Sequence, residues 1–393
     1  MRFLFFAAGL LLVFILSYLV SNDKKNIRYR AILSMLAVQI ILTFILLNTK
    51  AGILIISFIS KMFNKLIELG IDGVNFVFGG LENKGSSTFF LNVLLPIIFI
   101  SILIGILNYL KILPLIIKYV GMALSKLNGM GKLENYIALS SAVLGQSEVF
   151  LTTKKQIGLV SKKRLYTLCT SAMSAVSIAI VGSYMTMLEP KYVVIAIMLN
   201  ILSALIVANI VNPYEVTDEE DLLIVEEDHK MSFFQMIGES VMDGLKVAVI
   251  VAAMLIGFIA LINLIDYLFT IIFHISFQTI LGYIFAPIAF LMGIPWDEAV
   301  KAGSIMATKL VTNEFVAMLN FKDIAGTLSE KTVGIVSVFL VSFANFSSIG
   351  IITGSVKALD TKQGDVVAKF GMKLLYGSTL ASMLSATIMG LFL

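Results

Sequence analysis

The sequence predicts an all-α polytopic membrane protein, with about eight transmembrane helices and two re-entrant helical hairpins arranged as an inverted repeat. Of the 393 residues, 59% are hydrophobic and only 14% are charged, whereas soluble domains carry roughly 25% charged residues. The apolar runs are long and continuous, which favours a helix bundle over the short alternating strands of a membrane barrel. Two of these runs are interrupted by carboxylates, Glu148 and Glu314, which suggests that both belong to one shared site.

The charge and the reactive residues exclude several functions. The net charge of +4 is small, and the lysines cluster in loops, which indicates membrane topology rather than nucleic-acid binding. The only cysteine, Cys169, cannot form an intramolecular disulfide. Neither His229 nor His274 has companions at metal-ligand spacing. We therefore expect no metal site and no cofactor.

Residues 1–134 form the first region, with spans and amphipathic helices. The apolar run at residues 1–20 lacks a small-residue cleavage site, so we interpret it as a span rather than a signal peptide. Four basic residues in the segment 23–30 place that loop in the cytoplasm and the N-terminus outside. The elements that follow are a span at 31–47, an amphipathic element at 51–81, a span at 89–109, and a basic-flanked helix at 111–126 that a glycine turn stops.

Residues 135–212 form a first repeat. The segment 135–153 is too short and polar for a comfortable span and ends among lysines, so it is interpreted as a re-entrant hairpin with Gly145 and Glu148 at its tip. A span at 166–188 follows; its many small and hydroxylated residues suit close helix contact or an unwound stretch lining a cavity. The span at 192–211 closes the repeat.

Residues 213–296 contain a polar acidic loop and a long helix. The loop, at 212–231, is expected to be cytoplasmic from the number of preceding spans. The apolar helix at 233–268 is expected to continue toward Pro287 through His274 and Gln278.

Residues 297–393 repeat the first pattern. They contain a hairpin at 299–321, a span with a polar centre at 333–353, a charged loop at 357–369 and a last span at 370–393. The spacing from Glu314 to Asn345 matches that from Glu148 to Ser177 within two residues. Counting spans places the two hairpins on opposite faces, an arrangement in which substrate binds near the midplane of the membrane.

The polar residues at the two hairpin tips predict a small-molecule site. A carboxylate at membrane depth is costly and usually functional, which applies to Glu148 and Glu314. Single serines and asparagines are as often structural, because they link helices with roughly 0.6–2 kcal/mol each. Lys309 has three possible roles: pairing with an acid, snorkelling, or marking the base of the hairpin.

Three linked motifs carry a resemblance to a known family. They are Gly145-Gln-Ser-Glu148, Thr312-Asn-Glu-Phe315 and the run from Ser342 through Asn345 to Gly350. In this order and spacing they resemble the concentrative nucleoside transporter family, in particular NupC-type bacterial nucleoside permeases. The likeness extends from residue 73 to the C-terminus. It implies a homotrimer in the bacterial inner membrane, in which a transport domain moves past a scaffold that contains the long helix.

The resemblance also implies roles for individual residues. Gln146, Ser147 and Glu148 would face the nucleobase, with Ile180 nearby. The ribose hydroxyls would be held by Glu314, Asn345 and Ser348, and Phe343 would line the pocket. The complete expected substrate site is Gly145, Gln146, Ser147, Glu148, Ile180, Asn313, Glu314, Phe343, Asn345 and Ser348.

The coupling ion is expected to be a proton. Sodium-coupled relatives carry an asparagine where this chain has Ser141, and hydroxyl side chains where it has Ala175 and Ala179. A hard cation needs several oxygen ligands, so their loss weakens a sodium site. Ser141, Glu148 and Glu314 are the candidate coupling residues, and Glu148 and Glu314 are the candidate proton acceptors.

The resulting prediction is a non-enzymatic proton-coupled symporter that imports nucleosides, with pyrimidine nucleosides such as uridine favoured, by an elevator-type mechanism. The alternatives within this class are purine nucleosides, free bases, or sodium coupling. A hydrolase or transferase using Glu148 and Glu314 as an acid–base pair is a rival, but no activated nucleophile accompanies them. A passive channel is a third possibility, which the inverted hairpins disfavour.

Overall fold

The computed structural model describes residues 2–79, 89–217, 221, 223 and 231–393. Every regular element within these residues is a helix, which confirms the predicted all-α class. Residues 80–81 of the amphipathic element and most of the acidic loop, including His229, lie outside the described residues.

The N-terminal region begins with two apolar helices and a long amphipathic one: α1 (Arg2–Leu19), α2 (Tyr29–Asn48) and α3 (Lys50–Phe78). Thr49 alone separates α2 from α3, and its hydroxyl caps α3 by accepting the Gly52 amide at 3.0 Å. A Cβ on Gly52 would lie 2.0 Å from the Ile45 carbonyl oxygen. This sharp joint therefore requires glycine.

A π-helical turn at Phe90–Leu94 leads into α4 (Ile97–Tyr109), and α5 (Ile112–Asn128) follows. Gly129 ends α5 in the left-handed conformation, with φ 63°. The predicted glycine stop of this helix is confirmed, since the left-handed region suits a residue without a Cβ.

The first repeat begins with a helical hairpin, which we name the first hairpin: α6 (Lys132–Leu144), a 3₁₀ helix (Glu148–Thr153) and α7 (Lys154–Ile157). It starts three residues earlier than predicted. The expected span after it consists of two helices, α8 (Lys162–Ser174) and α9 (Ile178–Met185), which we name the first broken span. The small residues predicted either close helix contact or an unwound stretch, and the structure shows an unwound stretch between the two helices. Helix α10 (Pro190–Val211) completes the repeat.

Helix α11 (Phe233–Phe273) is the longest in the described residues and packs along α4. Its 41 residues correspond to about 60 Å at 1.5 Å per residue, twice the roughly 30 Å of hydrocarbon. Small residues allow close approach, because a Cβ on Gly244 would lie 2.6 Å from the Ile98 Cα.

The expected continuation of this helix toward Pro287 is wrong. His274 adopts a left-handed conformation with φ 58°, and the chain turns. Ser276 then caps a separate helix, α12 (Phe277–Leu291), by accepting the Thr279 amide at 3.1 Å. Serine caps compete with helix continuation because the hydroxyl satisfies an amide that the helix would otherwise leave free.

The second repeat begins with the second hairpin, α13 (Trp296–Val311) and α14 (Glu314–Ala325). The second broken span follows, α15 (Glu330–Leu340) and α16 (Phe346–Leu359), and then α17 (Thr361–Phe392). The predicted charged loop at residues 357–369 is wrong, because Asp360 alone separates α16 from α17 and caps α17 by accepting the Gln363 amide at 2.8 Å. The charged residues of this segment lie on helix.

Burial divides the molecule into an inner body and an outer shell. Over the most apolar 18 residues of each element, 94% of the residues are buried in the broken span α8–α9 and 83% in both α10 and α17. The corresponding share in α1 and in α11 is only 17%. The inner body therefore consists of the two repeats packed around α10 and α17, and the outer shell is rich in exposed apolar side chains.

Seven helical stretches among the described residues are long and apolar enough to cross a bilayer, or eight if the pair α12–α13, bent by 117°, is one span. The predicted span count and the re-entrant nature of the hairpins stay predictions.

Candidate functional site

The tips of the two hairpins are built from local backbone chemistry. Gly145 ends α6 with φ 106°, a conformation that favours glycine, and a Cβ there would lie 3.2 Å from the Ser177 Cβ. At the second tip, Asn313 caps α14 by accepting the Val316 amide at 3.0 Å. Glu314 is the first residue of α14, so its carboxylate lies at the positive end of a helix.

The two broken spans meet at their unwound stretches. The Phe343 amide donates a hydrogen bond of 3.2 Å to the Ala175 carbonyl oxygen. Ser177 caps α9 through the Ala179 amide, and Asn345 caps α16 through the Ser348 amide at 2.9 Å. The structure thus brings the breaks of both repeats together, with a helix start on each side.

Glu314 lies at this meeting point and is 4% exposed. Tyr184 from the first broken span donates its hydroxyl to Oε1 at 3.0 Å. Asn345 from the second broken span donates its amide Nδ2 to Oε2 at 3.0 Å. Each carboxylate oxygen therefore accepts one hydrogen bond from the protein, and each repeat contributes one donor.

Asn345 is fixed at both ends of its amide. Its Oδ1 accepts the Ser348 amide and, at 2.7 Å, the Ser347 hydroxyl. Its Nδ2 is thereby directed at Glu314. The residue that caps a helix is thus the residue that orients the buried carboxylate.

The residues of the first tip lie in a different environment. Gln146 is buried and Ser147 is half-buried, whereas Glu148 is exposed. The charge that acts on Glu148 is the carboxylate of Asp243 on α11. Ile180 is buried one helical turn before Tyr184, and Phe343 is half-buried. Direct hydrogen bonds thus link Glu314 with Asn345 and Asn345 with Ser348, whereas no hydrogen bond among the described residues joins Glu148 to this group.

The structure describes the three positions at which sodium-coupled relatives carry side-chain oxygens, which are Ser141, Ala175 and Ala179 in this chain. The Ser141 hydroxyl lies 3.0 Å from the Ala138 carbonyl oxygen and 3.4 Å from that of Ser171. Ala175 and Ala179 are buried. In the part of the chain that the structure describes, no three His, Cys, Asp or Glu side chains are grouped to hold a metal ion.

Sequence reasoning missed Tyr184 and the oxygen partners of Lys309. Tyr184 was not singled out, although a buried tyrosine hydroxyl in an otherwise small-residue span needs a partner. Lys309 is fully buried, which excludes snorkelling, and its ammonium binds the Phe339 carbonyl and two serine hydroxyls. Of its expected acidic partners, Glu314 acts on it through its charge.

Two helical hairpins and two broken spans that meet at a buried polar centre are the arrangement of a membrane transporter. Three family models match the chain: "Na+ dependent nucleoside transporter N-terminus" at residues 8–81, "Nucleoside recognition" at 90–191, and "Na+ dependent nucleoside transporter C-terminus" at 192–390. The chain belongs to the concentrative nucleoside transporter family. The resemblance inferred from the motifs is confirmed.

Relatives match along the full length. The chain is 37% identical to the purine nucleoside transport protein NupG of Bacillus subtilis, covering 100% of both chains. It is 31% identical to the nucleoside permease NupC of Helicobacter pylori, covering 99% of this chain and 98% of that one. The structure of CNTnw in an inward-facing substrate-bound state superimposes with a TM-score of 0.94 at 29% identity, covering 100% of this chain and 99% of that one. An outward-facing variant of CNTnw gives a TM-score of 0.95.

Proposed function

We propose that this chain imports nucleosides by proton-coupled symport, with pyrimidine nucleosides as the favoured cargo. The observation that carries the proposal is the buried Glu314 carboxylate, held by one donor from each broken span. Such a carboxylate can accept further hydrogen bonds from vicinal hydroxyls, because each ionised oxygen has more than one acceptor direction.

The ribose is assigned to the second repeat. Glu314 would accept a ribose hydroxyl, and the already oriented Asn345 would hold the carboxylate in place. The Ser348 hydroxyl is buried and has no hydrogen-bond partner among the described residues, so it is available to a second ribose hydroxyl. A buried polar atom without a partner costs about 1–3 kcal/mol, which a ligand hydroxyl would recover.

The nucleobase is assigned to the first tip. The Oε1 atom of buried Gln146 has no hydrogen-bond partner among the described residues. An amide offers both donor and acceptor atoms, which match the edge of a pyrimidine base. Ser147 and Glu148 follow directly, with Gly145 allowing close approach; Ile180 and Phe343 supply apolar surface, and Asn313 shapes the second tip.

Proton coupling is proposed because this chain has fewer of the side-chain oxygens that a sodium site needs. The alanines at 175 and 179 supply no side-chain oxygen, and the Ser141 hydroxyl lies at hydrogen-bond distance from helix carbonyls. A hard cation takes several oxygen ligands. Glu148 and Glu314 are the proposed proton acceptors, with Ser141 as the remaining cation-ligand candidate. Sodium coupling is the alternative.

Purine nucleosides are a second candidate cargo. The relative that is 37% identical over its whole length is named a purine nucleoside transport protein. Free nucleobases are a weaker alternative, because Glu314 and Asn345 would then have no ribose to bind.

The transport cycle is proposed to be of the elevator type, with the two re-entrant hairpins and broken spans moving past α11 and α4. Supporting this, the inner body is well buried and α11 carries an apolar exposed surface. Assembly as a homotrimer in a bacterial inner membrane is part of the same proposal, without a nucleic-acid partner.

The test is uptake of labelled uridine into proteoliposomes, with a proton gradient and a sodium gradient imposed separately. Accumulation of unchanged uridine driven by protons alone supports the proposal and excludes the hydrolase and the channel. A strict sodium requirement overturns proton coupling. Competition by inosine and guanosine at lower concentrations than uridine would replace the pyrimidine preference with a purine one.

A further inference from the structure

Lys309 lies on α13, one turn before the tip of the second hairpin, and is 0% exposed. Its ammonium donates hydrogen bonds to the Phe339 carbonyl oxygen at 2.5 Å and to the Ser342 hydroxyl at 2.6 Å, and lies 3.4 Å from the Ser382 hydroxyl. The Phe339 ring centroid is 4.5 Å away. Three oxygens match the three N–H groups of an ammonium.

The Glu314 carboxylate, five residues later in the chain, acts on this ammonium through its charge. The groups in direct contact with the ammonium are neutral oxygens and an aromatic face, which attract cations. Phe339 is in the last turn of α15, where carbonyls lack helical partners and carry partial negative charge. The environment is therefore that of a bound cation.

The three oxygens come from the second broken span and from α17. Phe339 and Ser342 flank the start of the break in the second broken span, and Ser382 is on α17. The Ser342 and Ser382 hydroxyls also bind each other at 2.8 Å. Lys309 thus joins α13, the break and α17 at one point.

We propose that Phe339, Ser342 and Ser382 form a cation-binding site, and that Lys309 occupies it with a covalently tethered ammonium. The ammonium holds the break in the geometry that places Asn345, three residues after Ser342, against Glu314. Lys309 is therefore a positioning residue for the nucleoside site; this consequence rests on the proposed function, whereas the cation site itself does not.

The first repeat differs at the corresponding place. Ser141 lies four residues before Gly145, as Lys309 lies four before Asn313. The Ser141 hydroxyl approaches helix carbonyls of α6 and α8 and brings no charge. Four residues before the tip, the second repeat thus carries a buried ammonium where the first carries a neutral hydroxyl.

The test is chemical rescue of Lys309→Ala with ethylammonium. The detergent-purified variant is measured without a membrane, since weak bases would collapse a proton gradient. Ethylammonium is expected to raise the melting temperature of Lys309→Ala and to restore uridine or inosine binding, whose Kd the substitution weakens about tenfold. Lys301→Ala, an exposed lysine on the same helix, and choline, which has no N–H donor, are the matched controls.

Each outcome is decisive. Unchanged nucleoside Kd in Lys309→Ala overturns the positioning role, and absence of any ethylammonium effect on its melting temperature overturns the cation site. If nucleosides fail to bind even the unsubstituted chain, the proposed function fails while the melting-temperature readout still tests the site. If Lys309→Ala does not fold, the single variants Ser342→Ala and Ser382→Ala can be used, because each removes one acceptor of the ammonium. A several-fold weaker nucleoside Kd in Ser342→Ala supports the proposal. Unchanged Kd values in both variants contradict it.

Discussion

At the scale of single residues, the Glu314 carboxylate accepts hydrogen bonds from side chains of both repeats. Tyr184 and Asn345 come from different broken spans and donate to different oxygens of one carboxylate. Hydrogen bonds to a charged group contribute about 1.5–3 kcal/mol each. The strength of nucleoside binding should therefore depend on both donors as well as on the carboxylate.

Replacing the carboxylate by an amide should sharply weaken transport. In Glu314→Gln, one carboxylate oxygen becomes an NH₂ group that would face a donor, either the Tyr184 hydroxyl or the Asn345 amide. We expect the KM for uptake to rise about 10- to 100-fold, measured as initial rates in proteoliposomes. Glu68→Gln, an exposed carboxylate on α3, is the control; equal effects in both variants would remove Glu314 from the site.

Removing the Tyr184 hydroxyl should weaken binding while retaining the ring. Tyr184→Phe keeps the edge-to-face contact with Phe315 at 5.1 Å but leaves Oε1 with one donor fewer. The KM should rise roughly 5- to 20-fold. The matched control is Tyr166→Phe, which also removes a buried hydroxyl, one that donates to the Lys373 carbonyl at 3.1 Å. If both substitutions change KM alike, the Tyr184 contact is only structural.

At the scale of elements, the base of the first hairpin is fixed by a buried ion pair. Arg164 on α8 donates to Glu134 on α6 at 2.5 Å and 3.0 Å, and Glu134 is fully buried. Two parallel hydrogen bonds give such a pair directional specificity. The hairpin is therefore attached to the first broken span at its base as well as near its tip.

Breaking this pair on one side should destabilise the protein more than removing it entirely. Arg164→Met leaves a buried charge without its partner and should cost about 3–5 kcal/mol, whereas the double variant with Glu134→Met should recover much of that loss. Melting temperatures of the detergent-purified variants measure the effect. Asp365→Asn, which breaks an exposed pair with Lys357, should change the melting temperature little. A double variant less stable than Arg164→Met would contradict this reasoning.

The elements themselves were largely predictable from the sequence, but their contacts were not. Apolar length and polar interruptions located the two hairpins and their tips. The turn at His274 and the joint at Asp360 were missed because each depends on a single capping side chain, which periodicity does not register. The partners of Tyr184 and Lys309 lie 130 and 30 or more residues away along the chain, so only the folded arrangement reveals them.

At the scale of the whole molecule, the predicted inverted repeat can be tested through the sidedness of the two hairpins. Both ends of a re-entrant hairpin return to one face of the membrane, and inverted hairpins return to opposite faces. Two exposed lysines lie on the arms of each hairpin: Lys132 and Lys155 in the first, and Lys301 and Lys322 in the second. Each is a suitable labelling position.

Single cysteines at these lysines should show the inversion. Cys169 is buried and is replaced by serine. A membrane-impermeant maleimide applied to intact cells should label Lys301→Cys and Lys322→Cys, whereas Lys132→Cys and Lys155→Cys should react only after permeabilisation. Labelling of one member of a pair from each side would show that the hairpin crosses the membrane.

The hydrogen bond between Phe343 and Ala175 joins the two breaks through backbone atoms alone. Any residue except proline carries the amide that this contact needs at position 343. The side chain there is consequently free to vary without separating the repeats. A substitution at position 343 can therefore change the side chain beside the proposed site while this backbone link between the two repeats is kept.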